Sequence, residues 1–315
     1  MLGYSLFMDG ELNVTFITFD GYVELQKYRY FYFVIMFTIF LLIICSNSTI
    51  VCLIVIHKNL HEPMYIFIAA LLINSLLYSI TIYPKLLIDF LSETQITTFP
   101  KCLFQGSMYY VLSTSEFLLL SAMAYDRHVS ICKPLQYPTI MRGETVKVFL
   151  VSAWLIPACE LAVSVVLYAN IKVCHFSIKG LFCNTSLYTL LCVRTVALSM
   201  YGVFLLLNIV LIPVLFIILT YTRIFIISFR SGKRVRTKAA QTCLPHLLVL
   251  INLSCFISYD VIVVRLGSDL PKLARFIMTL QIIVYHPLLN PFIYGLKMKE
   301  ISKHLKRLLF QVKSH

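Results

Sequence analysis

Asp126 and Arg127 stand side by side within one of the chain's long apolar runs. A charged group is expensive in hydrocarbon, so a carboxylate and a guanidinium placed there must be paired or wetted. Asn290-Pro291, in another apolar run, removes a backbone hydrogen bond and predicts a kink, with Tyr294 one turn below it. Pro213 predicts a similar bend. Helices bent in this way give a bundle two packings whose balance a ligand can shift. Ser254, Ser258, Val261 and Arg265 recur at i, i+4, i+7 and i+11, one helical face, with Ile257 adjacent. Arg265 at the end of that face could hold a carboxylate bidentately, whereas its plainer reading is a solvated arginine at a helix end.

Signs of catalysis are missing. Of the eight histidines only His57 and His61 stand at H-x-x-x-H spacing, and without the glutamate of H-E-x-x-H; there is no G-x-S-x-G, P-loop or G-x-G-x-x-G either. No C-x-x-C pair indicates zinc, so neither a metal nor another cofactor is expected. An intramembrane enzyme would gather acids or nucleophiles at one depth, and no such cluster is visible. Of ten cysteines, Cys45, Cys52, Cys132, Cys159, Cys243 and Cys255 read as small apolar packing residues in spans or at the inner face. Cys102, Cys174, Cys183 and Cys192 fall on the outer side, and four cysteines allow three pairings.

These residues sit on long apolar segments. The 315 residues are 59% hydrophobic and 13% charged, with mean hydropathy +0.85. That is about half the charge of a soluble domain. A spanning helix needs roughly 20 mostly apolar residues. Seven runs qualify: Tyr30 to Ile56, Met64 to Phe90, Cys102 to Ile131, Val146 to Tyr168, Met200 to Phe229, Ala239 to Arg265 and Lys272 to Leu296. The expected fold is an all-α membrane protein, a seven-transmembrane helix bundle. Residues 1–29 form an extracellular tail, 30–296 the bundle, and 297–315 a cytoplasmic amphipathic helix and tail. In that last helix Met298, Ile301, Leu305, Leu308 and Leu309 share a face, while Lys299, Lys303, Lys306 and Arg307 can reach lipid headgroups.

The net charge of +13 invites a nucleic-acid reading, but 27 basic residues dispersed among apolar ones make a poor phosphate-binding surface. Topology accounts for it better. With the N-terminus outside, the inner side holds seventeen basic residues against four acids, Glu62, Asp126, Glu144 and Glu300. That is the whole excess; the other ten basic and ten acidic residues cancel. The asymmetry follows the positive-inside rule for an odd number of spans. No cleavable leader is expected, because Asp9, Glu11, Asp20 and Glu24 precede the first run. Asn13-Val14-Thr15 is a glycosylation sequon on the outer tail.

The motifs inside the spans resemble those of the rhodopsin-like G-protein-coupled receptors and, within them, the odorant (olfactory) receptors, over nearly the whole chain. Leu60-His61-Glu62-Pro63-Met64-Tyr65 is similar to the family's L-H-x-P-M-Y, with Asn47 where the first-span asparagine falls. Met123 to Cys132, followed by Lys133-Pro134-Leu135-Gln136-Tyr137, resembles M-A-Y-D-R-Y-V-A-I-C-x-P-L-x-Y and is the most specific signal. Lys238 to Cys243 with His246-Leu247 resembles K-A-x-x-T-C-x-x-H-L. Pro287 to Tyr294 resembles P-x-L-N-P-x-I-Y.

The resemblance implies an odorant receptor that activates a heterotrimeric G protein of the stimulatory, cyclic-AMP-raising type. It implies that Asp126 holds Arg127 in the inactive state, and that Arg127 turns toward the G protein and Tyr221 when span six swings outward. Asn290, Pro291 and Tyr294 act as a second switch element. The odorant pocket is expected in the outer half of the bundle, lined by Tyr109, Tyr110, Ser113 and Thr114 of span three, Leu205, Leu206 and Ile209 of span five, and Ser254, Ile257, Ser258, Val261 and Arg265 of span six. The implied disulfides are Cys102 with Cys183 and Cys174 with Cys192.

Three departures accompany the match. Asn74-Ser75 stand where span two usually carries an aspartate, which in many rhodopsin-like receptors helps hold a sodium ion; Glu116 in span three could still contribute. His128 replaces a tyrosine, and Ser254 an aromatic residue. They fit a divergent branch tuned to water-borne odorants. Another small-molecule receptor of the same fold is the nearer alternative, and a transporter or channel the more distant one. A transporter should show an internal repeat or a mid-membrane path of acids, and neither is evident.

Overall fold

The computed structural model describes residues 16–169, 172–184, 187, 190–192, 196–230, 232, 237, 243–244, 246–255 and 271–313. Helices α1 (Leu25–Ile56), α2 (Pro63–Leu91) and α3 (Phe99–Cys132) fill the first three runs. After the short α4 (Tyr137–Ile140), α5 (Gly143–Ala169) fills the fourth. The fifth comprises α6 (Val196–Leu206), a π-helical segment (Leu207–Leu211) and α7 (Ile212–Arg230). Helix α8 (His246–Cys255) lies in the sixth, α9 (Lys272–Lys297) fills the seventh, and α10 (Lys299–Lys313) follows an extended Met298.

Among the described residues, α1, α2, α5, α7 and α9 are long and apolar enough to cross a membrane. Their outward faces carry large exposed apolar side chains, including Phe31, Leu42 and Ile56 on α1 and Val148, Val151 and Leu155 on α5. Water would not tolerate so much contiguous apolar surface; lipid is its natural solvent. Helix α3 is the most enclosed, packing against α2, α5 and α7. That position suits its polar residues Ser113, Thr114, Ser115, Glu116 and Asp126, all buried.

Helices overrun the apolar limits at several ends. Helix α1 begins at Leu25 rather than Tyr30, because backbone hydrogen bonding continues past the hydrocarbon edge where apolarity is no longer needed; the first turn breaks geometry at Tyr28. The π segment has a cause in sequence. Pro213 has no N–H to offer the carbonyl of Ile209, and its ring crowds that turn, so the helix widens just ahead of it.

The stretch ahead of α1 is not simply a tail. Phe16–Phe19 forms strand β1, the centre of a three-stranded sheet in the order β2-β1-β3. It pairs antiparallel with β2 (Ile96–Thr98), Ile17 opposite Thr97, and parallel with β3 (Ser177–Ile178), Phe19 opposite Ile178. Alternation sends Ile17 and Phe19 inward and leaves Phe16 and Thr18 outside. The chain then runs so close to the outer loop that a Cβ on Gly21 would lie 2.5 Å from the Gly180 carbonyl, which is why glycine stands there. Of residues 1–29, expected as an extracellular tail, the last fourteen hold strand β1 and the first turn of α1; Asn13 lies outside the described residues.

Candidate ligand pocket and activation switch

From the outer end inward, the bundle presents three layers. The first is tied covalently. Cys102, at the start of α3, is bonded to Cys183, and Cys174 to Cys192, with Cα separations of 5.3 and 4.8 Å. Of the three pairings open to these cysteines, this is the one the resemblance implies. Gln105 reinforces it, accepting from the Cys183 N–H (3.2 Å) and donating to the Thr81 carbonyl (3.2 Å). Tyr22 sits below the sheet, its hydroxyl donating to the Leu181 carbonyl (3.2 Å). Burial, aided by the charge of Asp89, pushes that phenol well above its ordinary pKa. Lys272 reaches Asp20 at 2.9 Å, joining the N-terminal segment to the start of α9.

Just beneath lie the expected pocket residues of α3. Tyr109, Ser113 and Thr114 are buried and Tyr110 is partly buried. The Tyr109 ring packs against Tyr110, against Phe182 of the outer loop (both 5.2 Å between centroids) and against Tyr78 of α2 (5.7 Å). It therefore faces α2 and the outer loop as well as its own helix. Leu205 and Leu206 are partly buried on α6, and Ile209 falls in the π segment. Ser254 is partly buried on α8, its hydroxyl without a hydrogen-bond partner among the described residues. Ile257, Ser258, Val261 and Arg265 lie outside the described residues.

The middle layer is polar. Asn290 donates to Glu116 Oε1 (2.9 Å) and to Ser75 Oγ (3.1 Å). The other carboxylate oxygen of Glu116 contacts Nε2 of His286. Glu116 is 0% and His286 5% exposed. The His286 ring stacks at a tilt on Tyr78, 4.7 Å between centroids.

The prolines of α9 explain two further links. Pro291 has no N–H for the Pro287 carbonyl, and Asn47 of α1 donates to it at 3.1 Å. Pro287 likewise frees the Ile283 carbonyl, which takes the Tyr83 hydroxyl of α2 at 3.4 Å. Each orphaned acceptor is thus satisfied from a neighbouring helix, so α9 is held to α1 and α2 at its two prolines. Asn74 makes a similar tie, donating to the Leu112 carbonyl (2.8 Å) and accepting from Trp154 of α5 (3.1 Å).

The inner layer holds the acid–base pair. Asp126, 0% exposed, accepts from Arg127 Nε at 2.9 Å through Oδ2, which Nη2 also contacts. Its Oδ1 accepts the Tyr137 hydroxyl at 2.7 Å. Burial, and then this bond to the carboxylate, raise the Tyr137 pKa. Tyr294 and His246 Nδ1 stand 3.2 Å apart, linking α9 to α8. Tyr221 is buried within electrostatic reach of Arg127, yet its hydroxyl has no hydrogen-bond partner among the described residues.

The structure thus brings Asp126 and Arg127 together and places Asn290 in a network, while Tyr221 and Tyr294 line the same inner core. Sequence reasoning missed Tyr137 as the second partner of Asp126, and His286. A signal for His286 was available: it precedes Asn290 by four residues and so shares its helical face.

The family model described as "Olfactory receptor" matches residues 36–312. The chain is 32% identical over 296 residues to human olfactory receptor 11H6, covering 92% of this chain and 88% of that one. It is 30% identical over 310 residues to human olfactory receptor 11A1, covering 95% of each. To human olfactory receptor 13C2 it is 30% identical over 293 residues, 88% of this chain and 90% of that one.

Proposed function

The chain belongs to the olfactory receptor family, G-protein-coupled odorant receptors of the membrane, and from that premise we propose how its residues carry the signal. An odorant enters the outer half of the bundle and meets Tyr109, Tyr110, Ser113 and Thr114 of α3, Leu205, Leu206 and Ile209 of the fifth span, and Ser254, Ile257, Ser258, Val261 and Arg265 of the sixth. Arg265 favours odorants bearing a carboxylate. The N-terminus, with Asn13 glycosylated, is extracellular and the C-terminus cytoplasmic. Two features support this orientation: the disulfides gather at one end, and the excess of basic over acidic residues falls in the segments assigned to the other.

One observation carries the switch. Asp126 holds Arg127 with help from Tyr137, while the nearby Tyr221 hydroxyl is buried and has no hydrogen-bond partner among the described residues. A buried hydroxyl without a partner is destabilising, so a packing in which Arg127 leaves Asp126 and meets Tyr221 recovers part of what breaking the pair costs. The two states then lie close enough in free energy for a small ligand to tip them. Asn290, Pro291 and Tyr294 pass the change through α9. The partner is a stimulatory, cyclic-AMP-raising heterotrimeric G protein, drawn to the basic inner face, and α10 rests on acidic lipid.

The test is a cyclic-AMP reporter assay across an odorant panel. Activation by at least one odorant is expected, together with its loss in Arg127→Ala at normal surface level; signalling that persists in that variant overturns the switch. In the same panel Arg265→Ala should blunt responses to acidic odorants only, and unchanged responses would remove Arg265 from the pocket.

A further inference from the structure

The middle layer raises a question that the family resemblance does not answer. A sodium ion at this depth needs oxygen donors with negative charge to spare, and the residues present do not fit one. Span two offers Ser75, whose hydroxyl already donates to the Leu71 carbonyl (3.1 Å) and accepts from Asn290. Glu116 has both oxygens engaged, one by Asn290 and the other by His286 Nε2. A carboxylate enclosed by protein in the middle of a membrane bundle must be neutralised. Here an imidazole from α9 stands where a counter-ion would be required. Nε2 and the carboxylate oxygen meet at ion-pair distance, without regular hydrogen-bond geometry among the described residues, and a proton on the imidazole would offset the carboxylate's charge.

We infer that His286 is the built-in counter-charge of Glu116, a positioning residue that takes the place of a bound metal ion and, through Glu116, holds Asn290 of α9 against α3 in the locked packing. The connection is direct. Glu116 Oε1 orients the Asn290 amide, and Asn290 immediately precedes Pro291 inside α9. The packing is the locked one because Arg127 is paired with Asp126 in the same structure. On its outer side His286 lies against Tyr78, and Tyr78 against Tyr109 of the proposed pocket. Movement at Tyr109 therefore has a contiguous route of packed rings to the pair. The inference rests on the reading of Asp126 and Arg127 as the activation lock.

The experiment compares ligand-free cyclic-AMP output, normalised to receptor at the cell surface, for the wild type, His286→Gln, Glu116→Gln/His286→Gln and His286→Gln/Arg127→Ala, in sodium medium and in medium with N-methylglucamine in its place. Glutamine retains a donor for Glu116 but cannot carry the proton. His286→Gln should raise output several-fold, most strongly without sodium, since a bare carboxylate can recruit the ion from the medium. Glu116→Gln in the same chain should return it to the wild-type level and abolish the sodium effect. Wild-type output should not respond to sodium.

A His286→Gln receptor with wild-type output would overturn the inference, as would a wild type whose output follows sodium. If His286→Gln fails to reach the surface, its rescue there by Glu116→Gln supports the charge pairing, and failure of both counts against it. The Arg127→Ala arm separates the two readings. Raised output that survives it indicts the lock at Asp126, whereas raised output that it removes leaves both in place.

Discussion

The two ends of the bundle are closed by different kinds of bond. At the outer end a backbone ladder ties β1 to β2 and β3, and two disulfides fix the loop above α3. At the inner end the closing contacts are side chains: Asp126 with Arg127 and Tyr137, His246 with Tyr294, and α10 laid against α1. A disulfide, once formed, exchanges partners only over minutes to hours, and the ladder it accompanies is fixed with it. Side-chain pairs can be exchanged for others of similar energy, as illustrated by the Tyr221 hydroxyl, which has no hydrogen-bond partner among the described residues. The outer end is therefore suited to shaping a pocket and the inner end to changing state.

Three changes would sharpen or break this contrast. The largest effect is expected from Cys102→Ser. Losing the tether between α3 and the outer loop should cost about 2–5 kcal/mol, seen as a collapse of surface expression and thermal stability, without raised ligand-free signalling in the receptor that remains. A rise in that signalling would mean the outer end also restrains the switch.

Tyr137→Phe should do the reverse. Removing a hydrogen bond to a charged group shifts the locked state by about 1.5–3 kcal/mol, so ligand-free cyclic AMP should rise with little change in surface level. Lost expression with flat signalling would make Tyr137 a structural residue only.

The smallest effect concerns α10. His304 is packed on His57, ring centroids 3.9 Å apart, and Asn59 Nδ2 lies 3.2 Å from its Nε2. Burial, then the neighbouring His57 and Arg307, lower its pKa. A base whose pKa falls on docking binds fewer protons when docked, so docking is complete above the free imidazole range and weakens as pH drops below about 6.5. A distance label between α10 and the end of α1 should lengthen modestly on acidification and not in His304→Gln; an unchanged distance in the native protein would dismiss the effect.

The contrast also explains what could be read from sequence. The spans were legible because lipid demands long apolar runs, and the Asp126-Arg127 and Asn290-Pro291 pairs because their partners are adjacent residues. Glu116 was visible as a polar residue of its span but its partner His286 was not, since their meeting depends on how α3 and α9 are rotated. Asn47 and Tyr83 were hidden for a related reason. Their roles are set by carbonyls that prolines free on another helix, and nothing in the sequence around them marks that need. The outer sheet gave still less warning. Its strands are two to four residues long, and no alternating pattern of that length stands out from a loop.

That sheet also imposes an order on synthesis. Thr18 bonds to the backbone of Phe176, 158 residues later in the chain. At ribosomal speed the central strand, made first, waits on the order of ten to thirty seconds for its last neighbour, one edge open throughout. The outer cap is therefore among the last parts of the nascent receptor to close, and its closure offers a natural checkpoint for a finished chain.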